Sequence, residues 1–326
     1  MKDTINIVYG CDDNFVSVLF VSIATLIKCN SDSLIDIYII DDHISLEKKN
    51  IIENLSTDNQ KVIWLPMKDI ENKIGSKLQL DRGSLAQFAR LFLNEYLPES
   101  IERVLYLDCD TMIVSSIREL WDTDLNSLTF GACLDAFSWL YNKNLGLSIE
   151  AELINSGVLL VDMVMWRSRN VENKVVEILK KRQGKIQQAD QGILDIMVQN
   201  DLKVLHPKFN CISGYFEFTY PEWIKYRKPT EKYKLKYSSE IIRQSVKNPV
   251  IIHFTSSFLN DRPWSKNSTH PFKEDWLTEQ SQGPLMMPSI KQTNFLKSLF
   301  NKIPRPVALS FFGILQAYLR PLIKKT

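Results

Sequence analysis

The sequence predicts an α/β domain, a sheet rich in parallel strands with helices on both faces. Three observations predict it. Short apolar runs alternate with helical stretches through the first 65 residues, the order that builds a parallel sheet covered on both sides. Of the 326 residues, 44% are hydrophobic and 24% charged, ordinary values for a chain with a sizeable core. Paired acids stand directly after three of the apolar runs, where an open α/β sheet binds its ligands.

Taken in order, Ile5–Tyr9 is the first strand, broken by Gly10-Cys11-Asp12-Asp13. Phe15–Ile27 follows as a buried helix with Phe15, Val18, Leu19, Ser22, Ile23 and Leu26 on one face. It is too short for a bilayer span of about 20 residues, and Asp12 and Asp13 stand where a signal peptide is basic. Ile35–Ile40 alternates as a strand, Ser45 caps a second helix, and Val62–Leu65 is a third strand. Leu85–Tyr96 reads as a helix and Val104–Leu107 as a fourth strand, with Met112–Ser115 continuing extended. Phe130–Leu134 and Val158–Val161 are further strands, Met163–Gly184 and Ala189–Asn200 helical, and Val250–Phe254 a late buried strand. Residues 205–248 are aromatic and basic without a readable period, and a boundary falls near Gly283-Pro284.

A net charge of +2 gives no reason to expect a nucleic-acid partner, but the charge is uneven. Every residue after Glu279 is neutral or basic, so the tail carries +7 and the first 279 residues −5. Five cysteines, with no CxxC, fit neither a disulfide framework nor a zinc ribbon and suit a reduced, cytoplasmic setting.

Asp108-Cys109-Asp110, straight after the fourth strand, is the sharpest chemical signal. Residues i and i+2 of extended chain point the same way, and two carboxylates side by side repel unless a cation separates them. Hard oxygen ligands suit Mg²⁺ or Mn²⁺, and solvated turn acids are the plain alternative. His253 lies inside the late strand; it is either a satisfied core residue or a third ligand that biases the site towards Mn²⁺. Asp190 opens a helix, where the dipole alone favours an acid. Arg90 sits among apolar neighbours and needs an anionic partner, an aspartate or a ligand.

These residues, in this order, resemble glycosyltransferase family 8. The similar segments are Val8–Asn14, Gln87–Leu91, Val104–Asp110, Leu120–Leu125, Gly131–Asp135, Ile154–Leu160, Ala189–Gln191 and His253–Thr255 before Pro263-Trp264. The resemblance implies a GT-A fold, a Rossmann-like mixed sheet flanked by helices, spanning residues 1–280. It implies a retaining, metal-dependent transferase that moves galactose or glucose from a UDP-sugar to a surface glycan or glycoprotein, forming an α linkage. By the same resemblance Gly10, Cys11, Asp12 and Asn14 touch the uridine with Phe15 beside it, and Arg90 holds the donor. Asp108, Asp110 and His253 bind Mn²⁺ (or Mg²⁺), Ser256 and Arg262 lie on the phosphate side, and Asp135, Asn155 and Ser156 line the sugar pocket. Asp190 and Gln191 sit beside the anomeric carbon. Gln191 is a poor nucleophile, so front-side displacement is the natural route to retention.

The chain departs from the family pattern at Gly192, where a second carboxylate is usual, and at Ser256 and Arg262, which stand for a glycine and a lysine. A DxD nucleotidyltransferase, and a glycan-binding or scaffold protein that has lost catalysis, are the rival readings; Gly192 supports the second. Residues 281–326 form a basic, apolar C-terminal segment. Val307–Leu319 is too short to span a bilayer, yet it is flanked by Arg305 and Arg320 and followed by Lys324-Lys325. It is expected to lie on an anionic membrane, peripheral on the inner face of the plasma membrane. A helix docked on the core is the alternative.

Overall fold

The computed structural model describes residues 3–75, 77–78, 84–255, 262–265, 268–285, 299–300 and 302–323. A seven-stranded sheet runs in the order β3-β2-β1-β4-β7-β6-β8. Its strands are β1 (Ile5–Asp12), β2 (Ile35–Asp42), β3 (Gln60–Pro66), β4 (Arg103–Leu107), β6 (Phe130–Leu134), β7 (Ile154–Asp162) and β8 (Leu202–Val204). β1 pairs in parallel with β2 and β4, and β2 with β3. β7 runs antiparallel to β4 and β6, which makes the sheet mixed. A second sheet of three strands, β5 (Thr111–Ile113), β10 (Ile251–His253) and β9 (Cys211–Ile212), starts where the Asp108–Asp110 turn leaves β4.

The helix Val16–Cys29 joins the two sheets. Val18, Leu19, Ser22, Ile23 and Leu26 are all buried, as the period requires. Its polar residues link the layers: Ser22 Oγ meets Tyr9 Oη at 3.0 Å and Thr111 Oγ1 at 2.8 Å. Phe15 belongs to the 3₁₀ turn ahead of it, which the Asp12 side chain caps by accepting from the Asn14 amide.

Three sequence expectations change. Leu85–Tyr96 is a 3₁₀ helix, Leu85–Leu91, followed by the single turn Leu93–Tyr96. Phe92, at φ −131°, interrupts what composition suggested was continuous. Met163–Gly184 splits into Met163–Ser168 and Val171–Lys181, because Asn170 takes a left-handed φ of 51°. Asp108-Cys109-Asp110 is a turn rather than extended chain, closed by hydrogen bonds from the Thr111 amide (3.2 Å) and hydroxyl (2.8 Å) to the Asp108 carbonyl.

The stretch without a period proves to be short helices, Ser213–Glu217, Tyr220–Arg227, Glu231–Lys236 and Ser239–Lys247. None exceeds nine residues, too few turns for an amphipathic period to emerge. They cohere through aromatic contacts instead, with Tyr215 edge-on to Trp223 and bonded to the Tyr233 hydroxyl at 3.0 Å.

The C-terminal helix Arg305–Ile323 has 19 residues and a mean hydropathy of 1.3, enough by length and composition to cross a membrane. The thirteen residues counted from the sequence stopped at Leu319; the helix continues through Pro321. Some 39% of its apolar window is buried against the rest of the described structure. Gly313 marks the crossing, where a Cβ would stand 2.8 Å from the Lys225 carbonyl oxygen. Pro321 denies the Ala317 carbonyl its helical partner, next to a π turn at Leu315–Leu319. Ser138 Oγ donates to that carbonyl at 2.5 Å, and Tyr141 Oη donates to the Gln316 carbonyl at 3.2 Å.

Candidate active site

Three linked cavities follow the carboxyl end of the sheet. The first, about 110 Å³, is lined by Gly10, Cys11, Asp12, Phe15, Ser84, Cys109 and Asp110. It shares Gln87, Arg90 and Asp108 with the central cavity of about 300 Å³, which adds Asn155, Ser156, Asp190, Gln191 and His253. The third, about 120 Å³, shares Asn155, Gln188, Gln191, Thr255 and Arg320 with the centre, and holds Asp135, Arg227, Phe218 and Trp223.

The DxD turn and β10 bring Asp108, Asp110 and His253 together, with candidate ligand atoms within 4.8 Å of one another. His253 Nε2 lies 3.2 Å from Asp110 Oδ1 and 3.6 Å from Asp108 Oδ2. The tautomer follows from the next layer of hydrogen bonds. Asn210 Nδ2 donates to Asn155 Oδ1 at 2.9 Å, which turns Asn210 Oδ1 towards His253 Nδ1 at 3.0 Å. Nδ1 is thereby held as the donor to Asn210, which leaves Nε2 as the ring nitrogen that faces the two carboxylates and can bind a metal. Three electron-rich groups converging in a buried place suit a divalent cation, and a mixed N/O set suits Mn²⁺. Gly157 makes the convergence possible: a Cβ there would stand 2.2 Å from His253 Cε1 and 2.8 Å from Asp108 Oδ2.

Arg90 is a hub. Its guanidinium lies 4.4 Å from the Tyr106 ring centre, donates to Asp108 Oδ1 (2.5 Å) and pairs with Asp190 Oδ2 (3.1 Å). It also donates to the Ser156 carbonyl (2.7 Å) and hydroxyl (3.1 Å) and to the Gln87 carbonyl (3.1 Å). Burial opposes its charge, but the acids around it, Asp108 foremost, hold its pKa above the ordinary arginine value. Its anionic partners are thus aspartates, and it ties the DxD turn to the helix Ala189–Met197.

Gln191 and Gln87 each leave a buried side-chain Nε2 without a partner among the described residues. Orphaned donors lining a cavity mark places for ligand oxygens. Asp135 lies in the third cavity, paired with Arg227 at 2.8 Å and accepting from Asn155 Nδ2 at 3.3 Å. Asn14 is exposed and outside the three linings, and Ser256 falls outside the described residues. Arg262 reaches Asp110 Oδ2 at 2.9 Å and stacks between Phe15 and Trp264. Gly192 has a structural reason. Gln188 and Ala189 take left-handed φ values of 67° and 50°, folding the chain so that a Cβ at residue 192 would meet the Gln187 carbonyl oxygen at 1.9 Å.

Sequence reasoning missed Gly157, Asn210, Gln87, Arg227 and Arg320. Gly157, inside an apolar strand, carried a readable signal, since glycine there marks close approach. Gln87 opens the Gln87–Leu91 segment, where Arg90 drew the attention; Asn210, Arg227 and Arg320 lie in segments without a motif.

A mixed sheet with a DxD turn at its central strand and cavities along its carboxyl edge defines a nucleotide-sugar type of GT-A domain. The glycosyl transferase family 8 profile matches residues 6–268, and the chain belongs to that family. It is 31% identical over 275 residues to a putative glycosyltransferase of Haemophilus influenzae, covering 82% of this chain and 76% of that protein. It is 24% identical to the lipopolysaccharide 1,3-galactosyltransferase of Salmonella typhimurium, covering 86% and 79%. The crystal structure of the galactosyltransferase LgtC with donor and acceptor sugar analogs superposes with a TM-score of 0.71 at 23% identity, over 86% of this chain and 97% of that one.

Proposed function

We propose that the chain is a retaining, metal-dependent hexosyltransferase that moves galactose or glucose from a UDP-sugar to a surface-glycan or glycoprotein acceptor. The observation that carries this reading is the Asp108–Asp110–His253 cluster, in which the His253 Nε2 faces two carboxylates. A divalent cation held there would neutralise the diphosphate as it departs.

The remaining residues have separable tasks. The first cavity, walled by Gly10, Cys11 and Phe15, takes the uracil and ribose. Arg90 fixes Asp190 and Asp108 in one frame, so neither carboxylate can relax when the donor arrives. Gln191 offers its unpaired amide N–H to the sugar or to the acceptor oxygen. The acids lining the central cavity, Asp108 and Asp190, are both engaged by Arg90, and the amide of Gln191 is not nucleophilic. This favours front-side displacement. The bond from C1 to the phosphate oxygen breaks, the acceptor oxygen bonds C1 on the same face, and the acceptor proton passes to the departing phosphate.

The C-terminal helix supports a peripheral seat on the cytoplasmic membrane surface. Val307, Phe311, Ile314 and Leu322 recur at helical spacing on its outer side and are exposed, with basic residues at both ends. Sedimentation with vesicles containing phosphatidylglycerol is expected, and Phe311→Glu with Leu322→Glu should abolish it. Sedimentation unchanged in that double variant would exclude this seat.

The test of activity is UDP release from a panel of UDP-sugars, with Mn²⁺ or EDTA. Release from one hexose donor, lost with EDTA and in Asp110→Asn, is the expected result. Equal release with EDTA would overturn metal dependence, and release of pyrophosphate or phosphate would favour the nucleotidyltransferase reading.

A further inference from the structure

The third cavity holds a cation that the donor chemistry does not use. Arg320 comes from the C-terminal helix and lines both this cavity and the central one, beside Gln188 and Gln191. The charged residues of the third cavity are Asp135, Arg227 and Arg320, a net charge of +1. Asp135 and Arg227 neutralise each other at 2.8 Å. Arg320 donates to the amide oxygen of Gln316 at 3.2 Å, and it forms no ion pair with a described carboxylate.

Its position is fixed by construction. The turn after Leu319 is pinned where Asn144 and Gln187 donate to the Pro321 carbonyl at 2.9 and 3.3 Å, next to the Ser138 and Tyr141 bonds. Four side chains thus fix the backbone on either side of Arg320, which sets where its half-buried side chain enters the junction of the two cavities. Phe137, Phe218 and Trp223 give the cavity aromatic walls, with the Arg227 guanidinium over the Phe137 and Trp223 rings at 4.8 and 5.2 Å.

We propose that Arg320 is a specificity-determining residue for the acceptor, and that the acceptor carries an oxyanion, a carboxylate or a phosphate, next to the hydroxyl that is glycosylated. The inference rests on the transferase reading for the identity of the neighbouring cavity. The guanidinium fork matches either anion in bidentate fashion. The C-terminal helix then has two faces with two tasks: its inner face completes the acceptor site, and its outer apolar row is free for a surface.

The test is direct binding to the full chain, followed by ligand-observed NMR, of three probes: methyl β-galactoside, methyl β-galacturonoside and methyl β-galactoside 6-phosphate. Binding is read apart from UDP release, so absent turnover would count against the donor reading without deciding this one. The wild type is expected to prefer at least one anionic probe by about ten-fold, the size of one charge-assisted contact. The better of the two names the anion as carboxylate or phosphate. R320Q should reduce the anionic-to-neutral ratio to about one, and R320K should retain part of it. Because each protein supplies its own ratio, partial unfolding cannot mimic the effect. Equal binding of all three probes by the wild type, or a preference that survives R320Q, overturns the proposal.

Discussion

The two sides of the site, proposed here to take the donor and the acceptor, are built differently. On the first side, Asp12, Asp108 and Asp110 stand at or just past the ends of β1 and β4, and the sheet sets their spacing. On the acceptor side, short helices and the C-terminal helix meet through aromatic faces and isolated hydrogen bonds. A strand-end site writes itself into local motifs. A site assembled from distant short elements does not, and it is also the side where specificity can change without disturbing the chemistry.

The comparison predicts that damage on the donor side is severe and specific. The largest effect is expected for Gly157→Ala. Its methyl would occupy the space of His253 Cε1, and since disturbing even an outer-shell partner lowers metal affinity by about 10–100-fold, a loss of at least that size is expected. Mn²⁺ binding followed by electron paramagnetic resonance checks this; unchanged affinity would mean that His253 is not a ligand.

Gly192→Asp comes next. It restores the acid usual in the family at a position where a Cβ meets a backbone oxygen at 1.9 Å. Overpacking of this kind costs about 1–3 kcal/mol, read by denaturant unfolding, and donor hydrolysis should not improve. A stable variant with faster hydrolysis would show that the 187–189 loop is not fixed by this glycine.

Gly313→Leu should lift the C-terminal helix from the Tyr220–Arg227 helix, because the added side chain meets the Lys225 and Tyr226 carbonyls. Transfer to an acceptor should fall by more than UDP release without one. Equal losses would place the helix outside the acceptor side.

The effect furthest from the chemistry concerns pH. Burial against Phe254 and Phe216 lowers the His270 pKa to about 4, so the unfolded chain takes up a proton first as pH falls. The native state should lose at most about 3 kcal/mol between pH 6.5 and 4, and His270→Phe should flatten that slope. Glu222 acts lower: Arg305 draws its carboxyl down to about 2, so its contribution is present above about pH 4.5 and fades as pH falls through 2.

The same contrast explains what could be read from the chain. β1, β2, β3 and β4 were visible as apolar runs, and Asp108, Asp110 and Asp12 as acids at their ends. His253 was visible as a polar residue in an apolar strand, but its tautomer depends on Asn210, in a segment with no period. Arg90 was visible as a buried cation, and only the fold shows that Asp108 and Asp190 both hold it. In the sequence Arg320 is one more positive charge of a basic tail. Its place at the junction of two cavities depends on Pro321 and the π turn, features of backbone geometry that composition does not encode.

The central claim is that Asp108, Asp110 and His253 form a divalent-metal site which the hexose donor requires. Calorimetric titration of Mn²⁺ into the wild type and Asp110→Asn, each with and without UDP, tests it most directly. The account predicts one Mn²⁺ site in the wild type, tightened by UDP and lost in Asp110→Asn. Tight UDP binding that is indifferent to Mn²⁺, and equal in the two proteins, would contradict it.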